Sequence, residues 1–396
     1  MANEREVVIL SGVRTAIGDY GGSLKDLPPT DLAAKVVREA VARAKVDPEA
    51  IGQCVFGNVI HTEAKDMYLS RVAALNGGLP HDTGALTLNR LCGSGMQAIV
   101  SASQYILLGD IDAAVAGGAE SMSRAAYADV TQRWGARMGD SKSIDMMVGA
   151  LTDPFDTIHM GVTAENVAKK CEISREQQDA FAAESHRRAA AAIADGRFKS
   201  QILPIELKSK KGPIQFDTDE HVRADASPEG MAKLRAVFIK ENGTVTAGNA
   251  SGINDAAAAV VLMERGAAEK RGLRPMARLL GYGHAGVDPK YMGLGPVSAV
   301  KRALAKAKLD LAAIDVIESN EAFAAQALGV NKELGLDPNK VNPNGGAIAL
   351  GHPIGATGCI LTIKAMYELA RTKGRYALIT MCIGGGQGIA AVIERV

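Results

Sequence analysis

Aromatic side chains are scarce in this chain, at 4%, with a single Trp, so its cores must be filled by aliphatic side chains. Charge of one sign is lacking too: 45 Lys and Arg against 44 Asp and Glu leave a net charge of +1. That balance gives no electrostatic reason to expect a nucleic acid or a membrane surface as partner. Cysteine is limited to Cys54, Cys92, Cys171, Cys359 and Cys382, an odd set, widely spaced and without a Cys-x-x-Cys pair. Such spacing speaks against a disulfide framework or a zinc site and for a reducing cytoplasm. No apolar run approaches the length of a membrane span. The opening Met-Ala-Asn-Glu-Arg-Glu has neither the apolar core of a signal peptide nor the acid-poor composition of a transit peptide. Low-complexity blocks are missing as well, so the 43 glycines point to tight helix–sheet packing and special turns rather than disorder. At 396 residues the expectation is a soluble, cytoplasmic, enzyme-sized protein of two or three core units.

What is present centres on one stretch. Ala85-Leu86-Thr87-Leu88-Asn89-Arg90-Leu91 alternates like a strand, Cys92-Gly93-Ser94-Gly95 interrupts it, and Gln97 to Leu108 reads as a buried helix stopped by Gly109. Cys92 then sits where a strand turns into a helix N-terminus, whose free N–H groups favour an anion. Such a position is expected to lower a thiol pKa from about 8.5 to roughly 3.5–7.5, with the flanking glycines letting a substrate carbonyl approach. The other reading is a buried structural thiol, and this stretch alone leaves both open.

In chain order, Val7-Val8-Ile9-Leu10 reads as a buried strand. Thr30 or Asp31 can cap a helix with Leu32, Val36, Ala40 and Val41 on its apolar face. Ile51 to Val59 and Ala113 to Gly118 are strand-like again, and this alternation points to a layered α/β sheet. From about 120 to 248 charges, Met, Gly and Pro punctuate the chain. One strong helix lies inside, with a Ser174/Gln177 capping box and Gly196 as its stop. A long insertion of this kind reads as a binding or association module. Ala256 to Met263 suits a strand buried on both faces.

The last third repeats the first. Ala40 to Ile51 and Ala303 to Ile314 match without a gap at Ala40, Ala42, Ala44, Lys45, Asp47, Ala50 and Ile51, and each leads into a strand-like run ending near Asn58 or Asn320. Gly93 to Gly118 likewise resembles Gly355 to Gly386. An internal duplication, with the insertion in the first half, is the economical reading. Equivalent loop ends would then meet: Cys92 from one half, and Asn320-Glu321-Ala322-Phe323, Gly351-His352-Pro353 and Cys382-Ile383-Gly384 from the other. Cys plus His is the minimum set for an activated thiol nucleophile. Consecutive glycines after Cys382 could supply oxyanion-hole N–H groups. Asn320 could orient a water or donate to an oxyanion; structural roles stay open for Asn320 and Cys382. Gly346-x-x-x-x-Gly351 continues into His-Pro and is no P-loop, and Gly384-Gly385-Gly386-Gln387-Gly388 is too near the C-terminus for a dinucleotide fingerprint.

Asn-Arg-Leu-Cys-Gly-Ser-Gly at 89–95, Asn-Glu-Ala-Phe at 320–323, Gly-His-Pro-Ile-Gly-Ala at 351–356 and Cys-Ile-Gly-Gly-Gly-Gln-Gly at 382–388 resemble the signatures of thiolases, in family order and across essentially the full chain. His159-Met160-Gly161 is similar to the biosynthetic, acetoacetyl-CoA-forming branch. The surroundings of Asp66 to Leu69 and Trp134 to Asp140 resemble bacterial β-ketothiolases of broader chain length, associated with polyhydroxyalkanoate precursors.

The resemblance implies two βαβαβαββ halves in a five-layered αβαβα sandwich: 1–119 plus 249–270, a loop domain at 120–248 for coenzyme A and tetramer contacts, and 271–396. It implies reversible Claisen condensation of two acyl-CoA molecules, with degradative 3-ketoacyl-CoA thiolysis as the alternative. It further implies no metal or cofactor beyond coenzyme A thioesters as substrates, and a homotetramer built as a dimer of dimers. By position, Cys92 resembles the acylated nucleophile, His352 its activating base and Cys382 the second acid/base. His352 with a water held by Asn320 would form one oxyanion hole, and the N–H groups of Cys92 and Gly384 the other. Leu151, His159, Met160, Arg223 and Phe238 match coenzyme A contacts, as do Ala247, Ser251, Met292, Ala322 and Phe323. Gly230 and Ala236 depart from common family residues, which leaves nucleotide affinity open.

Overall fold

The computed structural model of the chain describes residues 5–210 and 212–396. Nine strands frame it: β1 (Val7–Thr15), β2 (Gln53–Gly57), β3 (Gly84–Leu88), β4 (Ala113–Ser121), β5 (Asn254–Glu264), β6 (Ala277–Gly286), β7 (Val316–Ser319), β8 (Tyr376–Ile383) and β9 (Gln387–Arg395). Their spatial order is β7-β8-β9-β6-β1-β5-β4-β2-β3. The two flanks carry the same pairing pattern. In the first half β2 and β4 are parallel and β5 antiparallel to both β4 and β1. In the second, β7 and β8 are parallel and β9 antiparallel to both β8 and β6. A register shift falls at corresponding points, between Ile9 and Ser11 in one half and Leu279 and Gly281 in the other. The halves join where β1 meets β6, through only the pairs Val8–Arg278 and Ile9–Ala277.

The helices complete five layers. Outside the first half lie α1 (Pro29–Ala44) and α2 (Leu69–Asn76); outside the second lies the helix Gly295–Ala307. Between the half-sheets α3 (Ser94–Leu108) packs on the helix Thr357–Thr372. β5 is buried along nearly its full length, because the sheet has a helix layer on each face. The duplicated segments match in backbone detail: Lys45 and Lys308, at equivalent positions, both end their helices in the left-handed region with φ 55°. One boundary differs from expectation. Helix α1 starts at Pro28-Pro29 without a side-chain cap rather than at Thr30 or Asp31, since proline's fixed φ and missing N–H suit a first turn.

The long insertion carries α4 (Met160–Lys170), α5 (Arg175–Ala194) and two small two-stranded sheets. Ser174 and Gln177 make both bonds of the expected capping box, and Gly196 follows in the left-handed region. A fully buried ion pair ties the insertion to the core: Arg14 on β1 holds Asp219 through both guanidinium nitrogens, at 2.7 and 2.9 Å. Numbered on from α5, the second-half helices are α6 (Gly295–Ala307), α7 (Ala324–Leu334) and α8 (Thr357–Thr372). Among the described residues, no helix is long and apolar enough to cross a membrane.

Candidate active site

β3 ends at Leu88, three residues before the expected Leu91, because the chain already turns at Asn89. Side chains hold that turn. Asn89 Oδ1 accepts from the Leu91 N–H, and Ser94 Oγ accepts from the Arg90 N–H while donating to the Leu91 carbonyl. Leu91 is forced to φ 47°, a conformation that costs a Cβ-bearing residue energy and is stored beside the nucleophile candidate. The glycines serve packing here. A Cβ on Gly95 would lie 2.8 Å from the Cys359 N, and one on Gly358 would lie 2.2 Å from the Met96 N. Only without those atoms can α3 and α8, one from each half, bring their N-termini together.

This contact joins the two halves' chemistry. A Cβ on Gly93 would lie 2.5 Å from Ile383 Cδ1 and one on Gly384 3.2 Å from Leu91 Cδ1, so the Cys92 and Cys382 turns pack together. The N–H groups of Gly384 and of Cys92 itself act to lower the Cys92 thiol pKa. Cys382 is fully buried, and its environment includes Cys92 as an electrostatic neighbour. The expected low thiol pKa is overturned. Burial pushes Cys92 up to about 11, with Glu120 adding to the rise, and the two N–H groups only partly offset it. Burial raises Cys382 still further. Both sulfurs therefore rest as thiols at neutral pH.

His352 is buried, which lowers its pKa to about 4 and leaves a neutral ring. Its Nε2 lies 3.2 Å from Asn320 Nδ2, and its Nδ1 lies 2.7 Å from Thr357 Oγ1. The backbone of His352 is pinned by Asn254, which accepts from its N–H at 2.9 Å and donates to the Gly18 carbonyl. Asn320 Oδ1 is buried without a protein partner. Cys92 packs in an apolar cluster with Met122 and Ile354, and those two line, with His352, a cavity of about 440 Å³.

Leu151, His159, Arg223, Phe238, Ala247, Ser251 and Phe323 line the same cavity. Met160, Met292 and Ala322 stand behind it, in the cluster that packs Cys382. His159 caps α4, accepting from the Gly161 N–H at Nδ1, and stacks on Phe238 with centroids 4.6 Å apart. Phe238 in turn meets Phe323 edge-on. Ser251 joins this wall through its N–H, which donates to the Ala322 carbonyl. Gly230 lines an adjoining hollow of about 400 Å³ that shares Arg223 and Ala247 with the first. Ala236 lies outside both, bridged to Thr246.

Several residues that shape the site carry no motif. Asn254 and Thr357 hold His352. Glu120 accepts from the N–H groups of Val59, Ile60 and Gly355 and is pushed up to about 8 by burial. Glu321, inside the Asn-Glu-Ala-Phe segment, accepts from Ser185 on α5 and from Asn342. Their signal in the sequence is only polarity in apolar surroundings, and all but Thr357 act on segments far away along the chain.

A doubled α/β frame that packs the Cys92 and Cys382 turns together, with Ile354 of the His352 turn beside Cys92, has the build of an acyltransferase. Residues 7–266 match the thiolase N-terminal domain and residues 273–395 the thiolase C-terminal domain, and the chain belongs to the thiolase family. It is 68% identical over 392 residues to Beta-ketothiolase BktB of Cupriavidus necator, covering 99% of this chain and 100% of that one. To an acetyl-CoA acetyltransferase of Chromobacterium violaceum it is 49% identical over 392 residues, covering 98% and 100%. The solved acetyl-CoA acetyltransferase of Bacillus anthracis superposes with a TM-score of 0.97 at 45% identity over 99% of each chain. Human mitochondrial 3-ketoacyl-CoA thiolase in complex with CoA does so with a TM-score of 0.95 at 44% identity over 100% and 99%.

Proposed function

We propose that the chain is an acetyl-CoA C-acetyltransferase of the β-ketothiolase kind, joining two acyl-CoA molecules into a 3-ketoacyl-CoA and free CoA through an acyl-Cys92 intermediate. The observation that supports the reading is the packing of the Cys92 and Cys382 turns against each other across the two halves, Gly93 on Ile383 and Gly384 on Leu91. Cys92 gives its proton to His352 as its sulfur attacks the first thioester, and CoA leaves as a thiol. The N–H groups of Cys92 and Gly384 stabilise the oxyanion. Cys382, left as a thiolate once it has given its proton to the departing CoA, then removes a proton from the second acetyl group, whose carbonyl faces the His352 Nε2–H and a water on Asn320. Parking the acyl group on Cys92 spares the site from holding two coenzymes at once. The walls around His159, Phe238 and Phe323 take the pantetheine, and Arg223 faces the anionic end. Quenching the enzyme with acetyl-CoA and mapping it by mass spectrometry tests this: the acetyl group belongs on the Cys92 peptide, and finding it only on Cys382 reverses the two roles.

The finer reading is a broad-range, cytoplasmic enzyme supplying polyhydroxyalkanoate precursors, supported by the 68% likeness to BktB. Five-carbon 3-ketoacyl-CoA is then a substrate beside the four-carbon one. Thiolysis of 3-ketovaleryl-CoA at under about a hundredth of the acetoacetyl-CoA rate, equivalent to roughly 2.7 kcal/mol, would sink that reading. We also assign the units 1–119 with 249–270, 120–248 and 271–396, and a homotetramer formed as a dimer of dimers. Trp134 and Met138, 85% and 99% exposed beside the hairpin of Tyr127–Asp129 and Ser143–Asp145, support association through the insertion. A monomeric mass in sedimentation equilibrium would refute the assembly.

A further inference from the structure

The ring of His352 is held on its far side by a residue outside the signature motifs. Thr357 opens α8, and its Oγ1 lies 2.7 Å from His352 Nδ1 and 2.9 Å from the Pro353 carbonyl oxygen. Thr357 and His352 are 2% and 5% exposed, so no bulk solvent competes for these atoms. A hydroxyl has one proton to give and lone pairs to receive with. The carbonyl can only accept. When the hydroxyl proton goes to Pro353, Oγ1 is left as an acceptor, and the imidazole must present a proton at Nδ1. Nε2 is then the lone-pair nitrogen, matched by the Asn320 amide that reaches it at 3.2 Å.

We propose that Thr357 is a positioning residue that fixes His352 in the Nδ1–H tautomer, so that Nε2 carries the lone pair, held by the Asn320 amide until it takes the Cys92 proton. The arrangement parallels a nucleophile–base–orienter triad, with a neutral hydroxyl anchored on a carbonyl where other enzymes place a carboxylate. A neutral third member suits this site. Burial already holds His352 uncharged at neutral pH, so the tautomer, not the charge, decides whether Nε2 can act as a base. During acylation the Cys92 Sγ–H proton moves to Nε2, the Sγ–C bond forms and the C–S bond to CoA breaks. Nε2 holds that proton, Cys382 gives its own to the departing CoA thiolate, and Nδ1 keeps its proton on Thr357 throughout.

Thr357→Val keeps shape and removes the acceptor, leaving a buried Nδ1–H unpaired and favouring the opposite tautomer. This inference rests on the reading of Cys92 as nucleophile, and the first measurement separates the two. Without acetyl-enzyme on Cys92 in the unaltered chain, the nucleophile reading itself is overturned. With it, the rate of Cys92 acetylation is compared among wild type, Thr357→Val and Thr357→Ser, alongside thermal unfolding and solvent deuterium exchange into acetyl-CoA. The expected result is acetylation at least about tenfold slower in Thr357→Val, at the scale of a lost general-base contribution. Thr357→Ser should stay within about threefold of wild type, with the unfolding midpoint of both variants little changed. Thr357→Ala provides the same comparison if the valine variant does not fold. Acetylation of Thr357→Val at the wild-type rate would show that the hydroxyl donates to Nδ1 and overturn the assignment. So would equal losses in the serine and valine variants, or equal losses in acetylation and exchange, which mark a packing role.

Discussion

At the scale of single residues the site works with neutral groups. Cys92 is raised to about 11 and His352 lowered to about 4, so between those values the resting pair is thiol and imidazole, not thiolate and imidazolium. A raised thiol pKa leaves only a small thiolate fraction at pH 7, growing about tenfold per pH unit until the pKa is reached. Alkylation of Cys92 by iodoacetamide should accordingly climb through pH 7 to 10; a plateau near pH 7 would mean a preformed ion pair. Cys382 is higher still, so in the proposed mechanism it can act as a base only after giving its own proton to the departing CoA thiolate. Cys382→Ser keeps the size but lacks basicity. It should still form acetyl-enzyme detectably, while condensation and deuterium exchange fall at least about a hundredfold. Exchange at the wild-type rate would make Cys382 a structural thiol.

At the scale of elements, what matters is how helix ends are made. Ser174 caps α5 reciprocally with Gln177, and α5 in turn carries Ser185, which donates to Glu321 beside Asn320. Ser174→Ala should cost about 1 kcal/mol of unfolding free energy in urea, the usual worth of such a cap, with little effect on turnover. The N-terminus of α4 is different, because there the cap is also a cavity wall. A Cβ on Gly161 would come within 2.2 Å of the Phe238 ring that stacks on His159. Gly161→Ala should raise the KM for acetyl-CoA several-fold while the Cys92 acetylation rate at saturation changes less. An unchanged KM would remove this stack from the binding surface.

At the scale of the whole molecule, two halves and an insertion must be locked together for the site to exist. The Arg14–Asp219 pair has no exposed side-chain surface, and Asp219 also accepts from the Ile17 N–H. Asp219→Ala leaves the buried guanidinium without its counter-charge, with only Gln201 Oε1 and the Thr15 carbonyl still accepting from it, a change that costs about 3–5 kcal/mol. Urea unfolding should register that loss; a loss below about 1 kcal/mol would show that Arg14 finds water or another partner.

The sequence by itself determined the doubled frame and singled out the candidate reacting groups. The ungapped match of Ala40–Ile51 with Ala303–Ile314 is local, and local rules make both copies end in the same left-handed Lys. Cys92, His352 and Cys382 stood in glycine-rich turns, and Asn320 at a strand end matched to Asn58, which propensity and spacing reveal. Only the tertiary structure decided how those groups behave. The helix-start argument for Cys92 considered one element, whereas its ionisation is set by everything packed around it, and desolvation outweighs two N–H groups. Thr357, Asn254 and Glu120 were invisible for the same reason. Thr357 lies close to His352 in sequence, yet its value depends on which atom its hydroxyl meets. Asn254 and Glu120 act across 98 and 235 residues of chain. A side-chain hydrogen bond is a matter of distances of about 3 Å, and the folding of distant segments, not their composition, sets those distances.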